Sequence, residues 1–128
     1  MADWGGMADP QTEAAHGLIS AAQVEGTPVF DLDGERLGHV EDVLLHKLSG
    51  RVAYAVLATG GFLGLGEKLH PLPWNILKYD LEREGYVVPV GKAQLKAAPA
   101  YDKPELDAGD AGWSEAVHHH FQVSPAWV

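Results

Sequence analysis

Short apolar runs separated by glycine, aspartate and asparagine make up residues 27–90, and within the runs apolar positions recur as they do in strands. The Asp33-Gly34 and Ser49-Gly50 pairs fall between runs, where a glycine that tolerates positive φ favours a tight turn. The predicted strands are Val29–Leu32, Leu37–Lys47, Arg51–Ala58, Lys68–Pro73, Leu77–Leu81 and Tyr86–Val90. Six strands joined by short turns in about 65 residues predict a small, mainly β domain, either a six-stranded antiparallel closed barrel or a strongly curled sheet.

The strand predicted over residues 51–58 is apolar on both of its faces. Alternation places Val52, Tyr54, Val56 and Ala58 on one face and Ala53, Ala55 and Leu57 on the other. A strand of this kind has to be covered twice. We expect the barrel interior to cover one face, and a tail of the chain or a second subunit to cover the other.

Prolines limit where two of the strands can lie in the sheet. Pro71 and Pro73 each remove a backbone donor from the segment 68–73, which argues against a central position for it. Pro89 likewise predicts an edge or a bulge in the last strand.

The pattern divides the chain into a flexible N-terminal arm over 1–25, a barrel domain over 26–100, and a linker with a C-terminal helix and tail over 101–128. Glycines and prolines interrupt the arm, and residues 97–112 are rich in Ala, Pro, Asp and Gly. Ser114 is predicted to cap a short helix that runs to Gln122. Trp113, Val117 and Phe121 recur at helical spacing and form an apolar stripe that fits docking on the barrel or on a neighbour.

Glycines alternate with large apolar residues over 60–66, where Phe62, Leu63 and Leu65 have few polar neighbours. Exposed apolar segments often mark contact sites, so these residues and Trp74 predict the seam of a homodimer. A purely intrachain packing role is the alternative. The full set of candidate interface residues is Phe62, Leu63, Leu65, Trp74, Trp113 and Phe121.

Composition and charge narrow the possible partners. The 128 residues suit one domain, with 46% hydrophobic and 21% charged residues. Nine basic against eighteen acidic residues give a formal charge of −9, and the basic residues are spread singly, which argues against nucleic-acid binding. No apolar run is long enough for a membrane helix, and we expect a cytoplasmic protein. The absence of cysteine excludes thiolate chemistry and Cys-type metal sites.

Candidate catalytic and metal-binding groups do not form a recognisable pattern. The consecutive histidines 118–120 point about 100° apart on a helix, which is poor geometry for chelation. Glu41 and Asp42 are adjacent on a strand and point to opposite faces, so they do not make an acid–base pair. No catalytic, cofactor or metal residue is predicted, and the protein is not expected to be an enzyme. A small-molecule or metal-binding accessory protein that uses His70 or the triple histidine, in redox, photosynthetic electron transfer or stress physiology, is the alternative.

A connected series of short motifs lies between Leu18 and Tyr101. Its segments are residues 26–38, Val40-Glu-Asp42, 49–56, 60–66, His70-Pro-Leu-Pro-Trp74, Tyr86-Val-Val88 and Ala98-Pro-Ala-Tyr101. As a series they resemble the PRC-barrel family, the small β-barrel found in the cytoplasmic part of the photosynthetic reaction centre H subunit and in a ribosome-maturation factor.

The resemblance implies a barrel that docks onto other macromolecules and has no catalytic machinery shared across the family. The barrel of the H subunit follows a transmembrane helix, and that of the maturation factor accompanies a second domain. Neither is visible in this sequence, so the specific roles are not carried over. We expect a self-associating interaction module, a homodimer whose further protein partner the sequence does not identify.

Overall fold

The computed structural model describes residues 17–59, 68–107 and 112–124. These described residues form six strands and four short α-helices, with a 3-10 turn at Trp74–Ile76. The strands are β1 (Pro28–Phe30), β2 (Arg36–Leu45), β3 (Val52–Thr59), β4 (Lys68–Pro73), β5 (Lys78–Asp80) and β6 (Gly85–Val87). The helices are α1 (Ala21–Val24), α2 (Lys92–Lys96), α3 (Lys103–Asp107) and α4 (Ser114–Phe121).

All six strands belong to one sheet with the order β4-β3-β2-β1-β6-β5. Four of the five neighbouring pairs are antiparallel, whereas β1 and β6 run parallel, with Val29 opposite Tyr86 and Phe30 opposite Val87. The mainly β, six-stranded prediction is confirmed. The prediction of an entirely antiparallel sheet was wrong, because the β5–β6 hairpin returns beside β1 instead of continuing the meander from β4.

The sheet is also open, so the predicted closed barrel is corrected. Among the described strands, no ladder joins β4 to β5, and these two form the edges. The prolines in β4 agree with its edge position, since each lacks a backbone donor. Leu69 of β4 exchanges backbone hydrogen bonds with Tyr101, which covers part of that edge. The last strand ends at Val87, before Pro89, and is shorter than predicted.

Strand β3 is buried on both faces, as its sequence predicts. Ala53, Ala55 and Leu57 join the main core. Val56 and Ala58 pack instead with Leu69 and Leu106, against which Tyr101 and Trp113 also pack. The second face is therefore covered by the C-terminal part of the same chain. Of the two alternatives expected for this face, a tail of the chain and a second subunit, the structure shows the tail.

Close contact between β2 and β3 depends on Gly38. A Cβ atom at this position would fall on the carbonyl group of Ala58 and 3.2 Å from Cδ1 of Leu57. Only a glycine lets the two backbones approach so closely.

The C-terminal helix docks its apolar stripe on the sheet. Val117 and Phe121 are buried in the main core, and Trp113 packs against it. Helix α4 begins at Ser114, and the capping position is Trp113, with no side-chain cap bond. The predicted cap at Ser114 is thus wrong. The Ser114 side chain instead hydrogen-bonds with Tyr54 of β3.

A helix also lies in the described part of the predicted N-terminal arm. Ser20 caps α1, accepting from the backbone of Gln23, while the Gln23 side chain accepts from the backbone of Ser20. Val24 of this helix is buried in the main core. No helix in the described ranges is long and apolar enough to cross a membrane.

Candidate interaction site

Tyr54 and His118 connect the sheet with the C-terminal helix. The Nδ1–H of His118 donates to the carbonyl oxygen of Val123 over 2.9 Å. In the neutral imidazole this leaves Nε2 as an acceptor, so the Tyr54 hydroxyl donates to it over 2.6 Å. The Trp113 and Tyr54 rings pack in a T-shaped arrangement with centroids 4.8 Å apart. These contacts fix α4 over β3.

Burial of Tyr54 controls the ionisation of its hydroxyl. Removal of the phenol from water raises the pKa of Tyr54 to about 12, although the hydrogen bond with Ser114 acts in the opposite direction. At neutral pH the hydroxyl therefore keeps its proton and remains a donor to His118. This is a structural bond, not an activated phenol.

Two further histidines bind backbone carbonyl groups of the C-terminal half. His70 is buried on β4, and its Nδ1 lies 3.1 Å from the carbonyl oxygen of Pro99. Burial lowers the pKa of His70, which favours the neutral ring. Nε2 of His120 lies 3.2 Å from the carbonyl oxygen of Gln94, between α4 and α2. Each ring holds a segment of the fold in place.

The histidines do not assemble into a ligand set in the ranges that the structure describes. No three His, Asp or Glu side chains there come together in a group that could hold a metal ion. His118 and His120 bind different backbone segments, Val123 and Gln94.

The predicted interface residues have different locations. Phe121 lies in the main core, and Trp74 and Trp113 are partly buried against it. The Trp74 ring also packs edge-on against Tyr86, with centroids 5.4 Å apart. These three aromatic residues pack within the chain. Phe62, Leu63 and Leu65 lie outside the described residues.

The turn between β2 and β3 exposes two leucines. We call residues 45–51 the hairpin tip; Leu45 is 59% exposed and Leu48 is 93% exposed. Backbone bonds from His46 to Arg51 and from Gly50 to His46 close the turn over 2.8 and 2.9 Å. The Ser49 hydroxyl and Nδ1 of His46 lie 2.8 Å apart and add a side-chain bond. A well-bonded turn thus presents apolar side chains to solvent.

The sequence analysis did not single out the hairpin tip as a candidate interaction site. Leu48 occupies a predicted turn, where polar residues are usual. An apolar residue in such a turn is the sequence feature that could have indicated an exposed contact site. The tip is also locally basic. Lys47 and Arg51 are exposed, and the sequence has no acidic residue between Asp42 and Glu67.

Two further exposed leucines lie at the turns 31–35 and 80–84, which we call the acidic turns. Leu32 is 71% exposed and Leu81 is 74% exposed. The Arg83 side chain reaches from one turn to the other. Its guanidinium carbon lies 5.8 Å from the centre of the Phe30 ring. Its Nη2 lies beside Gly34, where a Cβ atom added to the glycine would be 3.0 Å from Nη2.

Acidic side chains outnumber basic ones at these turns. They contain six acidic residues, Asp31, Asp33, Glu35, Asp80, Glu82 and Glu84, and one basic residue, Arg83. Ion pairs engage two of the acids: Arg83 with Asp80 at 3.4 Å and Lys92 with Glu35 at 2.7 Å. Asp33, Glu82 and Glu84 are exposed and contribute negative charge to the surface.

Comparison with known proteins agrees with the resemblance seen in the sequence. Residues 16–95 match the family described as the PRC-barrel domain. The chain is similar to the crystal structure of a Pseudomonas aeruginosa protein described as a 16S ribosomal RNA processing protein, RimM, with 23% identity and a TM-score of 0.38. That similarity covers 59% of this chain and 45% of the other. No curated protein matches the sequence. The family match is the comparison that bears on the function.

Proposed function

Because the chain belongs to the PRC-barrel domain family, we propose that it is a non-enzymatic interaction and assembly module that associates with copies of itself. The observation that carries the proposal is the hairpin tip. Leu45 and Leu48 are presented to solvent by a turn that its own hydrogen bonds hold in shape. A pre-organised apolar projection loses little conformational entropy when it docks.

The arrangement of the polar groups supports a non-enzymatic role. Three of the described histidines, His70, His118 and His120, each lie within hydrogen-bond distance of a backbone carbonyl oxygen. Of the others, His39 pairs with Glu41 on the same strand, and His46 with Ser49 within a turn. The buried phenol of Tyr54 holds its proton well above neutral pH. These groups stabilise the fold, and they are not aligned as nucleophile, base and orienting group.

The charge of the chain supports a protein partner. With a formal charge of −9, most of the surface repels the phosphates of nucleic acids. The two basic residues of the hairpin tip are few compared with the cluster that phosphate binding requires. They are sufficient to orient the tip toward an acidic protein surface.

Sedimentation velocity at increasing protein concentration tests the proposal. We expect the weight-average sedimentation coefficient of the wild type to rise with concentration, and the rise to be lost in a Leu45→Gln, Leu48→Gln variant. Leu18→Gln is the matched control, because Leu18 is 85% exposed at a distant place in the chain. A wild type that remains monomeric at all concentrations would contradict self-association.

A further inference from the structure

The exposed leucines of the described chain are concentrated at two places far apart on the sheet. Four of the five, Leu32, Leu45, Leu48 and Leu81, lie at the hairpin tip or at the acidic turns, and Leu18 is the fifth. Strand β2 separates the hairpin tip from the turn at 31–35. It has 10 residues. At about 3.3 Å per residue, the two surfaces lie roughly 30 Å apart along the strand.

The two surfaces carry opposite charge beside their leucines. Lys47 and Arg51 flank Leu48 at the hairpin tip, whereas Asp33 and Glu82 are next to Leu32 and Leu81 at the acidic turns. Complementary charge favours contact between unlike surfaces and opposes contact between like ones. The net charge of −9 strengthens this selection, since acidic surfaces of two copies repel each other.

We propose that copies of this chain associate head to tail, with the hairpin tip of one copy docked on the acidic turns of the next. The inference rests on the proposed function and assigns the two surfaces that carry it. The contact is heterologous, because each copy uses a different surface on each side. A row of any length therefore keeps one free tip at one end and one free pair of turns at the other. Association extends into short chains, or closes into a ring if the rotation between copies allows it.

The contact is weak because two turns bury little area. Stable interfaces bury about 1,200 Å² or more, and a contact centred on four leucines falls below this size. We therefore expect a dissociation constant in the range of roughly 0.1–1 mM for each contact. Raising the salt concentration weakens it further, since exposed charges are screened beyond about 10 Å at 0.1 M ionic strength.

Charge reversal at each surface provides the test. The tip variant carries Lys47→Glu and Arg51→Glu, and the turn variant carries Asp33→Lys and Glu82→Lys. The tip variant has two acidic surfaces, so its copies repel. The turn variant reduces the net charge of the acidic turns from −5 to −1, so the basic tip loses most of the attraction to them. We expect each to dissociate at least about tenfold more readily than the wild type. In an equimolar mixture, the intact acidic turns of the tip variant meet the intact tip of the turn variant, and association returns.

The control variant carries Lys68→Glu and Lys96→Glu, two exposed lysines that belong to neither surface. It changes the net charge by the same amount as the tip variant and should associate more strongly than that variant. Circular dichroism of every variant checks that the sheet is intact, and sedimentation equilibrium at up to about 1 mM protein reports association.

The outcomes separate the arrangement from self-association itself. Weakening by both charge reversals with recovery in the mixture supports the head-to-tail contact. The head-to-tail arrangement is wrong if the wild type associates and neither charge reversal weakens its association, or if the mixture does not recover association. Either result is still compatible with the proposed self-association. A wild type that is monomeric throughout overturns both.

Discussion

The hydroxyl of Tyr54 on β3 donates a hydrogen bond of 2.6 Å to Nε2 of His118 on α4, although the two residues are 64 positions apart in the sequence. The bond joins the twice-buried central part of the sheet to the helix that covers it. The other ring nitrogen of His118 donates to Val123, just beyond the end of α4. One side chain thus connects strand, helix and tail.

Removal of the Tyr54 hydroxyl should destabilise the fold. In Tyr54→Phe the part-buried hydrogen bond to Nε2 of His118 is lost, and we expect a loss of about 1–2 kcal/mol in the free energy of unfolding. Urea denaturation at pH 7 measures this loss. Tyr79→Phe is the control, because Tyr79 is partly exposed on the edge strand and its substitution should change stability by less than about 0.5 kcal/mol. Equal effects of the two substitutions would show that the bond to His118 contributes nothing specific.

The same hydroxyl should make stability depend on alkaline pH. The pKa of Tyr54 is raised to about 12 in the folded state, against an ordinary value of 10. Its contribution is therefore fully present below pH 10 and is lost as the pH rises from 10 through about 12, because the unfolded state ionises first. The difference in stability between wild type and Tyr54→Phe should shrink by about 1 kcal/mol between pH 9 and pH 11. A difference that is constant over this range would contradict the raised pKa.

His70 should make stability depend on acidic pH. Burial is the main cause that lowers its pKa, and the charges of His120 and Lys68 act in the same direction. The unfolded state therefore takes up the proton first, and stability falls as the pH drops below about 6.5 until the folded-state pKa is passed.

His70→Asn isolates this effect, since an asparagine amide can still donate to the carbonyl oxygen of Pro99 and does not titrate. Urea denaturation at several pH values between 5 and 7 should give a shallower dependence for the variant than for the wild type. Parallel curves would mean that the histidine does not titrate differently in the folded and unfolded states.

Gly38 should not tolerate a larger side chain. In Gly38→Ala the new methyl group meets the Ala58 carbonyl group, so β2 and β3 must separate. We expect a cost of about 1–3 kcal/mol, or failure to fold. Gly91→Ala is the matched control, because no atom lies within 4 Å of its added Cβ and its φ of −97° is open to any residue. Thermal unfolding of the two variants side by side makes the comparison.

The strands and turns follow from the sequence because their causes are local. Gly34 and Gly50 have positive φ angles of +86° and +76°. This is the backbone conformation that glycine tolerates, and it is the reason why the Asp33-Gly34 and Ser49-Gly50 pairs predicted tight turns. The two-sided apolar pattern of residues 51–58 predicted double burial, and the spacing of Trp113, Val117 and Phe121 predicted a docking stripe. Each of these features is read from residues a few positions apart.

Only the tertiary structure decided which strands pair and what covers them. The parallel pairing of β1 with β6 and the open order of the sheet join segments nearly sixty residues apart, such as Val29 and Tyr86, and no local pattern encodes that choice. The same holds for the bond between Tyr54 and His118 and for the contact of the Arg83 guanidinium with the Phe30 ring. The sequence by itself determined which faces of the strands and of the C-terminal helix are buried, because this follows from the spacing of apolar residues along each element. The partners of the buried residues, and the leucines left exposed at the two surfaces, were decided by packing between distant parts of the chain.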